Sequence, residues 1–238
     1  MKKIPNKKYE KLLAEAVKHF WLTRSSQAIS KKKPDQGTRS SVTGGKQLDG
    51  FIDLLVEVSK DLGIPENCIY TKRNQLPGFF RPTKDWDFLI ISPKNKLLTV
   101  IELKSQVGSF GNNFNNRTEE ALGSAFDLWT AFREKGFSQS QPPWLGYLIL
   151  VEKSTRSTSP VRIREPYFSV REEFRGTSYL DRYILFCKKL MEERQYSATS
   201  FISSTPDYRF ECPDEEISFE TFINSFIGFL QGKLKEFR

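Results

Sequence analysis

Two short runs of the chain hold residue types that can work together on a substrate. The first is T-K-D-W-D-F-L-I-I at 83 to 91, with Asp85 and Asp87; the second is L-L-T-V-I-E-L-K-S at 97 to 105, with Glu102 and Lys104. Both read as strands, Trp86 to Ile91 and Leu97 to Lys104, joined by the polar turn Ser92 to Lys96. If Ser92 faces Leu97 across that turn, antiparallel register sets Asp87 opposite Glu102 and makes Asp85, opposite Lys104, the rival for the acidic role. Glu102 and Lys104, two apart, point to one face, and Asp87 shares it because opposed residues lie on the same side. Opposed carboxylates repel unless a cation sits between them. A hard divalent ion such as Mg²⁺, held by Asp87 and Glu102 through oxygen, would leave positions for water and a phosphate oxygen. Such an ion lowers the pKa of its water and polarises a phosphodiester, while Lys104 could orient the water or offset charge on the phosphorane. An acid followed some fifteen residues later by E-x-K also arises by chance, so a salt-bridge cluster at a sheet edge is the competing reading.

The elements that must position these residues follow from periodicity. Leu12, Leu13, Ala16, Val17, Phe20 and Trp21 recur at spacings of three and four, so the pattern predicts a helix over about 6 to 23. A basic loop follows, then a second helix over about 47 to 61, ended by Gly63-Ile64-Pro65. Asn67 to Thr71 reads as a short strand. Beyond the hairpin, Asn112 to Asn116 reads as a loop leading into a helix over about 117 to 134, with Asn116 and Glu119 spaced as a capping box and Gly123 permitting close approach to a neighbour. Trp144 to Glu152 is a strand parallel to a hairpin strand, since a helix intervenes. An arginine-rich irregular stretch, 154 to 177, precedes helices at 179 to 194 and 218 to 235, with a further strand at 197 to 203. The expectation is one α/β (α+β) domain over residues 1–238, a central mixed sheet flanked by helices.

Composition narrows the chemistry. The 238 residues carry 37 Lys and Arg against 29 Asp and Glu, a formal +8, with a single histidine, His19. Two-histidine nucleases and H-E-x-x-H zinc sites therefore cannot be built, and three dispersed cysteines point away from disulfides and toward a reducing, cytoplasmic home. No apolar run predicts a membrane span or signal peptide. The charge is uneven: residues 1 to 46 carry a net +9 and the remainder −1. A basic N-terminal helix and loop of this kind attracts a polyanion, of which nucleic acid is the commonest, or simply solubilises the chain.

The strings F-F-R-P-T-K-D-W-D-F-L-I-I at 79 to 91 and T-V-I-E-L-K-S-Q-V-G-S-F-G-N-N-F-N-N-R-T-E-E-A at 99 to 121 resemble the XhoI family of type II restriction endonucleases. T-R-S-S-V-T-G-G-K-Q-L-D-G-F at 38 to 51 and Y-E-K-L-L-A-E-A-V-K-H-F-W at 9 to 21 are similar to the same family. The resemblance covers about residues 9 to 150. It implies the PD-(D/E)XK fold, with Asp87, Glu102 and Lys104 as catalytic residues and Trp86 standing where the family's proline is expected. It further implies a homodimer that cuts a palindromic DNA duplex with Mg²⁺, CTCGAG in the XhoI-like members, after the first C to leave four-base 5′ overhangs. A cognate methyltransferase would share the site without stable binding.

Further candidates surround this centre. Glu15 in the first helix and Glu57 in the second are possible accessory acids, as is Asp85; Glu119 and Glu120 are weaker ones. Asn112, Asn113, Asn115 and Asn116 could pair with adenine edges and Arg117 with guanine or phosphate, although asparagine also simply suits turns. Lys31, Lys32, Lys33, Arg39 and Lys46 are candidates for phosphate contact. Phe110 and Phe114 are either wedges or core. A structure-selective or repair nuclease of the same fold, such as a junction resolvase, and a non-catalytic DNA-binding protein remain the alternatives.

Overall fold

The computed structural model describes residues 6–30, 46–137, 140–165 and 167–237. Lys31, Lys32, Lys33 and Arg39 lie outside the described residues. Helix α1 runs from Asn6 to Ser30, and α2, Asp49–Asp61, follows a 3₁₀ turn at Lys46–Leu48. The strands are β1 (Ile69–Tyr70), β2 (Gln75–Pro77), β3 (Thr83–Asp85), β4 (Phe88–Ile91), β5 (Leu97–Gln106), β6 (Trp144–Glu152), β7 (Ala198–Ser204) and β8 (Phe210–Glu211). Helix α3, Phe110–Arg133, crosses from β5 to β6; the short α4, Thr155–Thr158, and then α5, Tyr179–Glu192, lie between β6 and β7; α6 is Phe219–Lys233.

Six strands form one mixed sheet in the order β1-β4-β5-β6-β7-β8, and β2-β3 form a separate hairpin. Strands β5, β6 and β7 are parallel, as crossovers through helices require, and β4 pairs antiparallel with β5. The period of two along the strands sorts the core. Ile101, Leu103, Leu148, Leu150 and Ile202 face Val17, Phe20, Phe51 and Leu55 of α1 and α2 and Phe226 of α6. Leu89, Val100, Tyr147, Ile149 and Phe201 face Ala121, Ala125 and Leu128 of α3 and Tyr183 and Cys187 of α5. Helix starts are fixed locally: Ser178 and Ser218 cap α5 and α6 by accepting from Asp181 N and Thr221 N. Trp21 Nε1 donates to Ser204 Oγ at 2.9 Å, tying α1 to the end of β7. Among the described residues no helix is long and apolar enough to cross a membrane.

Several expectations are corrected. Ser92 N bonds Lys96 O at 2.9 Å, so the turn closes one residue earlier than Ser92 against Leu97. A bulge after Ile90 restores the register, and Phe88 pairs with Ile101. Asp85 does not oppose Lys104: it pairs with Gln75 in the β2-β3 hairpin and is exposed. Helix α3 begins at Phe110, so Asn112 to Asn116 occupy its first turns and the Asn116–Glu119 box is not needed. The short turn out of β5 reaches that start through left-handed Gly108 and Ser109, with Gly108 N donating to Glu152 Oε2 at 2.9 Å. Gly123 is exposed and abuts nothing.

One close approach in the sheet is sterically exacting. A Cβ on Gly146, which pairs with Ile101, would overlap the Trp144 ring and lie 3.0 Å from Phe222 Cζ. Gly146→Ala is expected to destabilise the fold by roughly 1–3 kcal/mol, read as a lower urea midpoint at unchanged m-value.

Candidate active site

Asp87 is held against β5 just before β4 begins. Its backbone N–H donates to Ile101 O at 3.2 Å, and its Oδ2 accepts from Leu103 N at 2.7 Å. Glu102 alternates with the core residues Ile101 and Leu103 and therefore projects on the opposite, α3 side of the sheet, where it is only 2% exposed. Lys104 Nζ pairs with Glu102 Oε1, and Lys84 Nζ lies 2.9 Å from Oε2. Lys84 comes from β3, where its ammonium sits 4.5 Å from the centroid of the buried Trp86 ring. Trp86 is fixed in turn by Asn74, whose carbonyl accepts from Trp86 N at 3.2 Å and whose side-chain amide donates to Trp86 O.

The electrostatics follow from this burial. Loss of water raises the Asp87 pKa first, the neighbouring Glu102 charge raises it further, and the Leu103 N–H, Lys104 and Lys84 offset these in part, leaving it at about 6. A cavity of about 330 Å³ opens over Glu102, lined by the cations Arg81, Lys84, Lys104 and Arg117 and by Glu119 and Glu120. Arg117 Nη1 donates to Glu120 Oε2 at 2.5 Å, while its buried Nε has no hydrogen-bond partner.

The remaining candidates are placed less uniformly. Glu15 and Glu57 belong to the α1–α2 pair, which packs on the other face of the sheet, and they pair with Lys11 and Lys8. With Asp85 exposed on the hairpin, these acids do not join Asp87 and Glu102: among the described residues no three acidic, histidine or cysteine side chains form a metal-binding group. Lys46 is exposed, its carbonyl 3.1 Å from His19 Nε2. Asn112, Asn115 and Asn116 are exposed and Asn113 is half-buried on α3. Phe110 and Phe114 are packing residues, stacked on Tyr179 and set edge-on to Tyr183 respectively. Sequence reasoning missed Lys84, Arg81 and Asp127; the Pro- and Gly-containing stretch around them hides a hairpin, and only the alternation of Lys84 with exposed Thr83 and Asp85 signals it.

The donor set suits a hard divalent cation. Glu102 Oε2 is buried yet makes no aligned hydrogen bond, and Asp87 contributes a second carboxylate, which matches an ion that takes one or two protein carboxylates and completes its shell with water and phosphate.

A buried Asp–Glu pair attended by lysines, on a mixed sheet flanked by helices, defines a restriction-endonuclease-like core. Residues 27–213 match the family described as Restriction endonuclease XhoI, and the chain belongs to that family. It is a type II restriction endonuclease. It is 51% identical over 71% of its length to the type II restriction enzyme BstVI of Geobacillus stearothermophilus, covering 79% of that protein. It is 46% identical to the type II restriction enzyme XhoI of Xanthomonas vasicola, over 77% of this chain and 75% of that one. The type II restriction enzyme AbrI of Azospirillum brasilense is 45% identical, over 67% and 74% respectively. No solved structure matches the chain.

A pH dependence follows from the raised Asp87 pKa. Between the ordinary value of 3.8 and about 6 the folded protein holds a proton that the unfolded chain has released, so stability is favoured below that window and falls as pH rises through it. In metal-free protein, Asp87→Asn is expected to flatten this fall and to raise stability above pH 7, by at most about 3 kcal/mol. Urea midpoints of both proteins from pH 4 to 8 measure the difference.

Proposed function

We propose that this chain is a Mg²⁺-dependent homodimeric endonuclease that cuts a palindromic duplex, CTCGAG or a close variant, after the first C to leave four-base 5′ overhangs. The observation that carries the reading is the juxtaposition of Glu102, Lys84 and Lys104 in a basic cavity with the buried carboxylate of Asp87 beside Glu102. The sequence likeness to the XhoI relatives supports the site. The whole chain, 1–238, acts as one nuclease domain in the cytoplasm, beside a methyltransferase that modifies the same sequence.

Asp87 and Glu102 would hold the Mg²⁺, which supplies an activated water and polarises the scissile phosphate. Lys104 orients the attacking water and offsets charge on the phosphorane. Lys84 keeps Glu102 compensated in the free protein. Arg117 lines the cavity, and it and the surface asparagines that precede it on α3 contact phosphate or base edges, while Lys46 with the basic segment before it follows the backbone. Each chain has one such centre, so cutting both strands of a palindrome in one encounter calls for a two-fold pair of chains.

Digestion of plasmid DNA with and without Mg²⁺, followed by end mapping, tests the reading. Discrete fragments with 5′ overhangs at CTCGAG are expected, whereas random nicking or preference for branched DNA contradicts it. Glu102→Gln is expected to abolish detectable cutting and to leave site-selective DNA binding measurable; near-normal turnover by that variant excludes the assignment. Sedimentation of the protein with its target duplex is expected to give two chains per duplex, and a one-to-one mass rules the dimer out.

A further inference from the structure

Helix α3 carries a buried acid that the cleavage chemistry does not use. Asp127 on α3 is only 4% exposed and takes three donors from one loop. Its Oδ1 accepts from Phe79 N and Phe80 N, each at 2.8 Å, and its Oδ2 accepts from Arg81 Nε at 2.7 Å. Burial alone raises the pKa of this carboxyl, but the Phe80 N–H, the Arg81 guanidinium and the Phe79 N–H outweigh it and hold the group below the usual carboxylate range. The loop is shaped to the acid. A Cβ on Gly78 would lie 2.5 Å from Asp127 Oδ2 and 2.7 Å from Arg81 O, and Phe80 stacks on Phe126 of α3 at 5.5 Å between ring centroids.

The loop joins β2 to β3, so it is continuous with the strand that delivers Lys84. Arg81 lines the same cavity as Glu102 and Lys104, with its side chain 43% exposed. Guanidinium offers five donors in a planar fork. Asp127 takes the Nε edge, and among the described residues no other acid pairs with Arg81, so the two terminal nitrogens remain for a second oxyanion.

We infer that Arg81 contacts a DNA phosphate at the rim of the catalytic cavity and that Asp127 is the positioning residue that aims it. This rests on the reading that the cavity receives a phosphodiester. The geometry divides the guanidinium between a fixed internal carboxylate and an incoming phosphate, so the arginine meets DNA without first having to be ordered.

The test is the salt dependence of binding. Full-length protein is titrated against a fluorescent duplex containing CTCGAG, without divalent metal, from about 50 to 300 mM KCl. Arg81→Ala is expected to weaken binding roughly tenfold and to reduce the log K against log salt slope by about 1. Arg81→Lys is expected to recover the slope and only part of the affinity. Asp127→Asn discriminates best, because it removes a negative charge: bulk electrostatics alone would tighten binding, whereas loss of aim weakens it and makes the slope shallower. Unchanged affinity and slope in Arg81→Ala, or tighter binding by Asp127→Asn, overturns the proposal. If Arg81→Ala does not fold, the sign of the Asp127→Asn effect still decides. A wild-type protein that neither binds nor cuts DNA overturns the underlying reading, while one that binds and cuts alongside unaffected Arg81 variants overturns this inference alone.

Discussion

Two carboxylates withdrawn from water side by side are the constraint around which the rest of this molecule is arranged. Glu102 is almost fully enclosed and Asp87 is set beside it, so each pays a desolvation cost and each raises the energy of the other's ionised form. Such a pair persists in a folded protein only when positive charge is brought to it and the backbone holds it in place. Here Lys104 and Lys84 converge on the two oxygens of Glu102, while the Leu103 N–H grips Asp87. Two carboxylates so placed repel as bare anions, and a divalent cation between them would relieve that repulsion.

Several neighbouring elements each supply one part of that compensation. β5 is the common member, carrying Glu102 and Lys104 toward α3 and Ile101 and Leu103 toward the α1, α2 and α6 core. The antiparallel partner β4 sets the register that puts Asp87 beside Glu102. The small β2-β3 hairpin swings Lys84 in across Trp86, and α3 contributes Arg117 and, through Asp127, the orientation of the loop that carries Arg81. The parallel strands β6 and β7 contribute no charged group to the acidic centre, but their apolar faces fix the helices on both sides of it.

The order of helices and strands was legible because each buried face repeats on its own period: 3.6 residues in α1, α2 and α5, and two along β5. The register of the hairpin that carries Asp87 and Glu102 was legible for the same reason: Phe88 pairs with Ile101 although the turn closes one residue early, since the bulge after Ile90 absorbs the slip. The start of α3 was not legible. Gly108 and four asparagines carry local preferences for turns, and what overrides them is the packing of Phe110 and Phe114 against Tyr179 and Tyr183, residues nearly seventy positions away. Nor was the β2-β3 hairpin, whose Pro77, Gly78 and Pro82 look like a plain loop until Asp127 gathers its backbone.

What the sequence by itself determined is the chemistry available: one histidine, an acid pair with E-x-K spacing on adjoining apolar strands, a basic N-terminal region, and strings shared with a family of restriction enzymes. Those are properties of residue type and short-range spacing, and short-range spacing is fixed by the strand repeat. Only the tertiary structure decided which charges meet. It excluded Asp85, Glu15 and Glu57 from the acidic centre and admitted Lys84 and Arg81. The reason is physical: a strand fixes the direction of its own side chains, but ion pairs across elements depend on how hairpin and helix pack against the sheet, and that packing is set by apolar contacts that carry no sign of the charges they bring together.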